Sequence, residues 1–120
     1  MSISRLSSVG QAWAAAAAGR RLLLIRHGET AFNREGRYQG QLDVPLNTIG
    51  VEQARCLAAR LQDEPLALCF SSDLDRARMT AEAVARVHGV TVQTDAALRE
   101  ANLGVLQGRS WGEAAEALGD

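Results

Sequence analysis

The chain contains no lysine; all 13 of its basic residues are arginine. Gene composition accounts for that bias as readily as chemistry does. Aromatic residues are scarce as well, at 4% of 120 positions. Nucleic-acid surfaces interleave aromatic side chains with basic ones, and too few aromatics are present for that. The charge balance agrees. Formal net charge is −1, so no global field draws in a polyanion or an anionic membrane. Two cysteines, Cys56 and Cys69, are too few for a disulfide framework. They read as reduced, buried thiols, one in a helix and one in a strand. No stretch approaches the roughly 20 apolar residues of a membrane-spanning helix, and no internal repeat is visible. The remaining composition, 47% hydrophobic and 22% charged, is that of an ordinary soluble domain with a modest core.

Residues 1–20 stand apart. Met1 to Gly19 include serines, Arg5 and the run Ala14 to Ala18, but no acidic residue. A transit peptide shares those traits, so organelle targeting stays open. The favoured reading is a loose extension, or a start codon placed too early, outside the core of a cytoplasmic protein.

The informative residues begin next. Leu22-Leu23-Leu24-Ile25 is an apolar run that reads as a strand buried on both faces. Arg26-His27-Gly28-Glu29-Thr30 follows directly. Ligands of open α/β sheets sit beyond the carboxyl ends of their strands. An arginine there offers a planar fork to a phosphate. A histidine that is mostly neutral at pH 7 can attack phosphorus. Gly28 permits a close backbone approach or a positive φ.

Periodicity supplies the frame. Arg26 to Leu46 read as a long, polar, pocket-bearing loop. Asn47 or Thr48 can cap a helix carrying the stripe Ala54, Leu57, Ala58 and Leu61, with Pro65 at its exit. Leu66 to Phe70 form a second strand. Leu74, Ala77, Ala81, Val84, Ala85 and His88 share one face of a second helix, which Gly89 can end. His88 there suits the helix dipole. Val90 to Thr94 read as a third strand. Ser110 and Glu113 have capping-box spacing, and Trp111, Ala114, Ala115 and Leu118 line one face of a last helix. Alternating strands and helices predict an α/β fold with a mostly parallel sheet. The strand ends then bring Arg26, His27, Arg76 and Glu100 to one edge, with Arg76 near a helix amino terminus. Arg20, Arg21, Arg34 and Arg37 read as local phosphate attraction or a solvated face.

Several further motifs come in order. They are Asn33, then Gly36-Arg37-Tyr38-Gln39-Gly40, Asp43-Val44-Pro45-Leu46 and Gly50. Ser71-Ser72-Asp73-Leu74-Asp75-Arg76-Ala77 follows, with Thr80-Ala81 behind it, then Leu98-Arg99-Glu100, Gly104 and Gln107-Gly108. From Leu22 to Gly108 this ordered set resembles the histidine phosphatase superfamily, the phosphoglycerate-mutase-like fold. The resemblance implies a three-layer α/β domain over residues 21–120, with a mostly parallel sheet and helices on both faces. It implies a nucleophile at His27, phosphoryl-holding arginines at Arg26 and Arg76, and a proton donor at Glu100. Asn33, Gln39 and Gly40 match positions lining the pocket of a small phosphorylated substrate. No metal or cofactor is implied.

One part of the family pattern is missing. A second pocket histidine, usually followed by glycine, belongs far downstream of the acid. His88-Gly89 precedes Glu100 and does not fill that place. The expectation is therefore the amino-terminal part of a longer domain. The leading function is a phosphomonoester phosphatase acting through phosphohistidine. A mutase and a non-catalytic phosphate-binding fragment are the alternatives. The segment Gln39-Gly40-Gln41-Leu42-Asp43 looks more like phosphatase members than glycolytic mutases, which tend to carry a tryptophan soon after that glycine.

Overall fold

The structure, a computed structural model, describes residues 21–119. The extension expected over residues 1–20 lies outside them. Among the described residues there are four helices and two strands: α1 (Ala31–Glu35), α2 (Thr48–Arg60), β1 (Cys69–Ser71), α3 (Asp75–His88), β2 (Val92–Thr94) and α4 (Trp111–Ala117). Two short 3₁₀ turns, Ala96–Leu98 and Gly104–Leu106, lie between β2 and α4.

β1 and β2 pair in parallel, with Cys69 beside Val92, Phe70 beside Gln93 and Ser71 beside Thr94. α3 is the crossover between them, as parallel pairing requires. α2 packs on α3. Small side chains line the buried side of this pair: Ala54 and Ala58 on α2, Val84 and Ala85 on α3.

Local cap chemistry sets most of the helix ends. Asn47 Oδ1 accepts from the Gly50 N–H at 2.8 Å and starts α2. Gly89 closes α3 at φ 66°, a left-handed conformation that favours glycine. Ser110 and Glu113 form the expected capping box of α4. His88, at the end of α3, shares a 2.9 Å hydrogen bond with the Leu61 carbonyl at the end of α2. Because a carbonyl oxygen only accepts, His88 Nε2 is the donor.

Several expectations need correction. Leu22–Ile25 is not a buried strand; it has no ladder partner among the described residues, and Leu24 is 82% exposed. A strand is defined by the neighbour that receives its N–H and C=O groups. Here the apolar run and the segment Pro65–Phe70 instead face a cavity of about 1160 Å³. The sheet is thus two-stranded among the described residues, rather than three-stranded.

The segment 26–46 is not all loop. Thr30 and Asn33 build a reciprocal cap that starts α1, and Gly36 ends it at φ 64°. On the face that Trp111, Ala114, Ala115 and Leu118 share, α4 buries only Ala114, and Trp111 and Leu118 are each 65% exposed. The Trp111 indole lies over Gly36 instead. Cys56 is exposed on α2, while Cys69 is partly covered and burial pushes its thiol pKa up; both are free thiols. Among the described residues, no helix is long and apolar enough to cross a membrane.

Candidate active site

Gly28 sets the position of His27. A β-carbon at Gly28 would lie 2.5 Å from the carbonyl oxygen of Gly50. Only a bare α-carbon fits against the first turn of α2, so close approach, rather than positive φ, is what this glycine supplies. The Gly28 N–H donates to Thr80 Oγ1 at 3.0 Å, and that hydroxyl donates to the Arg76 carbonyl at 2.8 Å. Thr80 thereby ties the turn after Leu22–Ile25 to the helix that carries Arg76.

His27 is half-buried. Its Nδ1 lies 2.6 Å from the Gly28 carbonyl oxygen. That oxygen can only accept, so Nδ1 carries the proton and Nε2 keeps its lone pair. Burial is the largest influence holding the imidazole pKa below its ordinary value. Arg76 and Arg26 push the same way, against the Gly28 hydrogen bond and Glu100, which raise it. The ring is therefore a neutral base at pH 7 with one nitrogen available.

Arg26, His27, Asn33, Gln39 and Glu100 all line the 1160 Å³ cavity. Arg26 is exposed, and among the described residues it forms no ion pair within 4 Å. Glu100 is exposed, and its backbone carbonyl accepts from Gln41 Nε2 at 3.2 Å. Arg76 and Gly40 do not line the cavity. Arg76 is 2% exposed, and its guanidinium donates to the carbonyls of Leu42 and Gly40, at 2.6 and 2.5 Å. It binds the pocket loop from behind and adds positive charge near His27. Further N–H groups of its fork remain beyond those two bonds. Arg21, Arg34 and Arg37 are engaged elsewhere, with Glu64, Glu29 and the Gly108 carbonyl.

The loop carrying Gln39 and Gly40 is fixed by residues that the sequence motifs contain but whose part the spacing does not disclose. Thr30, fully buried, places its hydroxyl 2.6 Å from Gln39 Oε1 and 3.1 Å from Asn33 Oδ1. Asn33 Oδ1 also accepts from the Thr30 N–H at 2.9 Å. Gly40, at φ 55°, leaves room for Gln107. Gln107 Oε1 accepts from the Gln41 N–H at 2.8 Å. Asp43 Oδ1 accepts from the Asp75 N–H at 2.7 Å, giving α3 the cap that Leu74 cannot provide. Among the described residues, no group of three His, Cys, Asp or Glu side chains is placed to hold a metal.

A neutral imidazole in a cavity that Arg26 and Glu100 also line, with the charge of Arg76 acting on the ring, is equipped to exchange a phosphoryl group. The profile of the Histidine phosphatase superfamily (branch 1) matches residues 22–120. The chain belongs to the histidine phosphatase superfamily. It is 46% identical over 86 residues to "Probable phosphoglycerate mutase GpmB" of Yersinia pestis (strain Pestoides F), covering 72% of this chain and 40% of that protein. Among solved structures it is similar to mycobacterial glucosyl-3-phosphoglycerate phosphatase complexed with VO3. That match has 39% identity and a TM-score of 0.74, covering 77% of this chain and 46% of the other. It is also similar to a phosphoserine phosphatase of Entamoeba histolytica in complex with 3-phosphoglyceric acid. There the identity is 32% and the TM-score 0.69, covering 80% of this chain and 46% of the other. This histidine phosphatase superfamily chain therefore spans less than half the length of each of these relatives.

Proposed function

We propose that this chain carries the phosphoryl-accepting part of a phosphomonoester phosphatase, with His27 as nucleophile. The observation that carries the reading is the 2.6 Å contact between His27 Nδ1 and the Gly28 carbonyl. It commits one ring nitrogen to the backbone and leaves Nε2 as the basic atom. Nε2 attacks phosphorus, and the ester P–O bond breaks. The leaving oxygen takes a proton from Glu100, and a phosphohistidine remains. Water then gives a proton to the Glu100 carboxylate and attacks phosphorus. The P–N bond breaks, its electrons return to the ring, and inorganic phosphate departs.

Arg26 holds the phosphoryl oxygens from the cavity wall, and Arg76 stabilises their charge from behind. Asn33, Gln39 and the Gly40 turn shape the pocket. The substrate is a small phosphorylated molecule, in keeping with the phosphoglyceric acid named for one structural neighbour. The domain is the three-layer α/β arrangement of the family, of which residues 21–120 form the amino-terminal part.

A mutase is the second reading, favoured by the name of the relative at 46% identity. It would return the phosphoryl group to another hydroxyl instead of to water. The test is turnover of an aryl phosphate and of 3-phosphoglycerate by the chain, beside His27→Ala. Release of free phosphate that His27→Ala abolishes supports the phosphatase. An isomerised ester supports the mutase. Equal rates in both proteins remove His27 as nucleophile.

A further inference from the structure

Glu100 sits on a segment with little to hold it. Residues 96–98, 100, 101 and 102 are all exposed. Among the described residues, segment 96–102 has two long-range hydrogen-bonded attachments. One is the Gln41 amide on the Glu100 carbonyl, at 3.2 Å. The other is a fork. Arg99 donates through Nε to Asp73 Oδ1 and through Nη2 to Asp73 Oδ2, both at 2.6 Å. Asp73 is a firm anchor, because its neighbours Ser72 and Leu74 are each only 5% exposed.

We propose that Asp73 and Arg99 are positioning residues, a two-point clamp that holds Glu100 over the cavity containing His27. The proposal rests on the reading of Glu100 as the proton donor. It adds residues outside the set that touches substrate. An exposed ion pair contributes little to stability. A bidentate guanidinium–carboxylate pair differs from a single contact in fixing orientation as well as distance. Here it fixes the residue directly before Glu100. Arg99 also holds the Asp73 carboxyl below the usual carboxylate range, so the pair is ionised at neutral pH. Neither Asp73 nor Arg99 acts on the His27 ring directly. The charges that do are Arg76 on α3, Arg26 on the segment leading into His27, and Glu100.

The ring therefore reports where the Glu100 carboxylate is, whether or not the chain turns over substrate. The chain has two histidines, so NMR titration of the imidazole protons resolves His27 and uses His88 as a control for an intact fold. Glu100→Gln should lower the His27 midpoint by removing a carboxylate that raises it. Asp73→Asn and Arg99→Gln should each lower it in the same direction. Asp73→Asn should add nothing on a Glu100→Gln background. The charge swap Asp73→Arg with Arg99→Asp should recover the wild-type midpoint. If Glu100→Gln moves the midpoint while both clamp variants leave it unmoved or raise it, the clamp is overturned. If Glu100→Gln itself moves nothing, Glu100 does not face His27 and the clamp falls with it. The phosphatase reading fails on a different result, equal turnover by His27→Ala.

Discussion

Thr80 Oγ1 joins Gly28 to Arg76, accepting from the first at 3.0 Å and donating to the carbonyl of the second at 2.8 Å. The hydroxyl is 52 residues from Gly28 in sequence. It sits on a side chain only 4% exposed. Thr80→Val keeps the shape and removes the acceptor, leaving the buried Gly28 N–H unsatisfied at a cost of about 1–3 kcal/mol. Thr80→Ser should restore most of that. Urea unfolding of the three proteins checks the order. Phosphate release should fall with Thr80→Val and recover with Thr80→Ser, since the same bond positions His27.

Gly28 and Gly112 respond oppositely to the same substitution. Gly28→Ala places a methyl carbon 2.5 Å from the Gly50 carbonyl oxygen. Backbone at the start of α2 cannot swing aside as a flexible side chain does. The expected loss is about 1–3 kcal/mol or more. Gly112 lies in α4 with nothing within 4 Å of a built β-carbon. Gly112→Ala should gain about 0.5–1 kcal/mol from helix preference. Thermal melts of both variants decide the pair.

The pH behaviour follows from His27. Its folded pKa lies below the ordinary value of about 6.5. Between that value and the lower folded one, the unfolded chain binds a proton that the folded ring refuses. Stability from this group is thus fully present above about pH 6.5 and is lost as pH falls through the folded pKa. Wild type should lose more stability than His27→Gln between about pH 7.5 and about pH 5.5 in urea titrations. Arg26→Ala removes a charge that lowers the ring pKa, so the His27 midpoint in an NMR titration should rise.

Some of this was legible in the sequence because the controlling physics is local. Asn47, Gly89 and the Ser110–Glu113 box act within one turn, and each ends or starts a helix as its chemistry dictates. The β-α-β order around α3 was legible from the alternation of apolar runs and helical stripes. Leu22–Ile25 was not, because strand formation depends on a partner that the run itself cannot specify. The exposure of Trp111 was not legible for a related reason. A helical stripe tells which residues share a face, not whether anything covers it. α1 escaped because Asn33 takes the place where a capping box ordinarily carries Glu or Gln. Of the candidate site, Arg26, His27, Asn33, Gln39 and Glu100 line one cavity. Arg76 behind the loop and Asp73 on Arg99 were invisible, since these bonds span 34–36 and 26 residues and no spacing rule reaches that far.

The most direct measurement is the covalent state of His27 during turnover. Incubation with an aryl phosphate, an alkaline denaturing quench and fragment mass spectrometry locate any trapped phosphoryl group. The account predicts one PO3 group on the His27 ring, attached through Nε2, and none on the His27→Ala protein. A phosphoryl group found on another residue, or turnover that proceeds with His27 never modified, would contradict it.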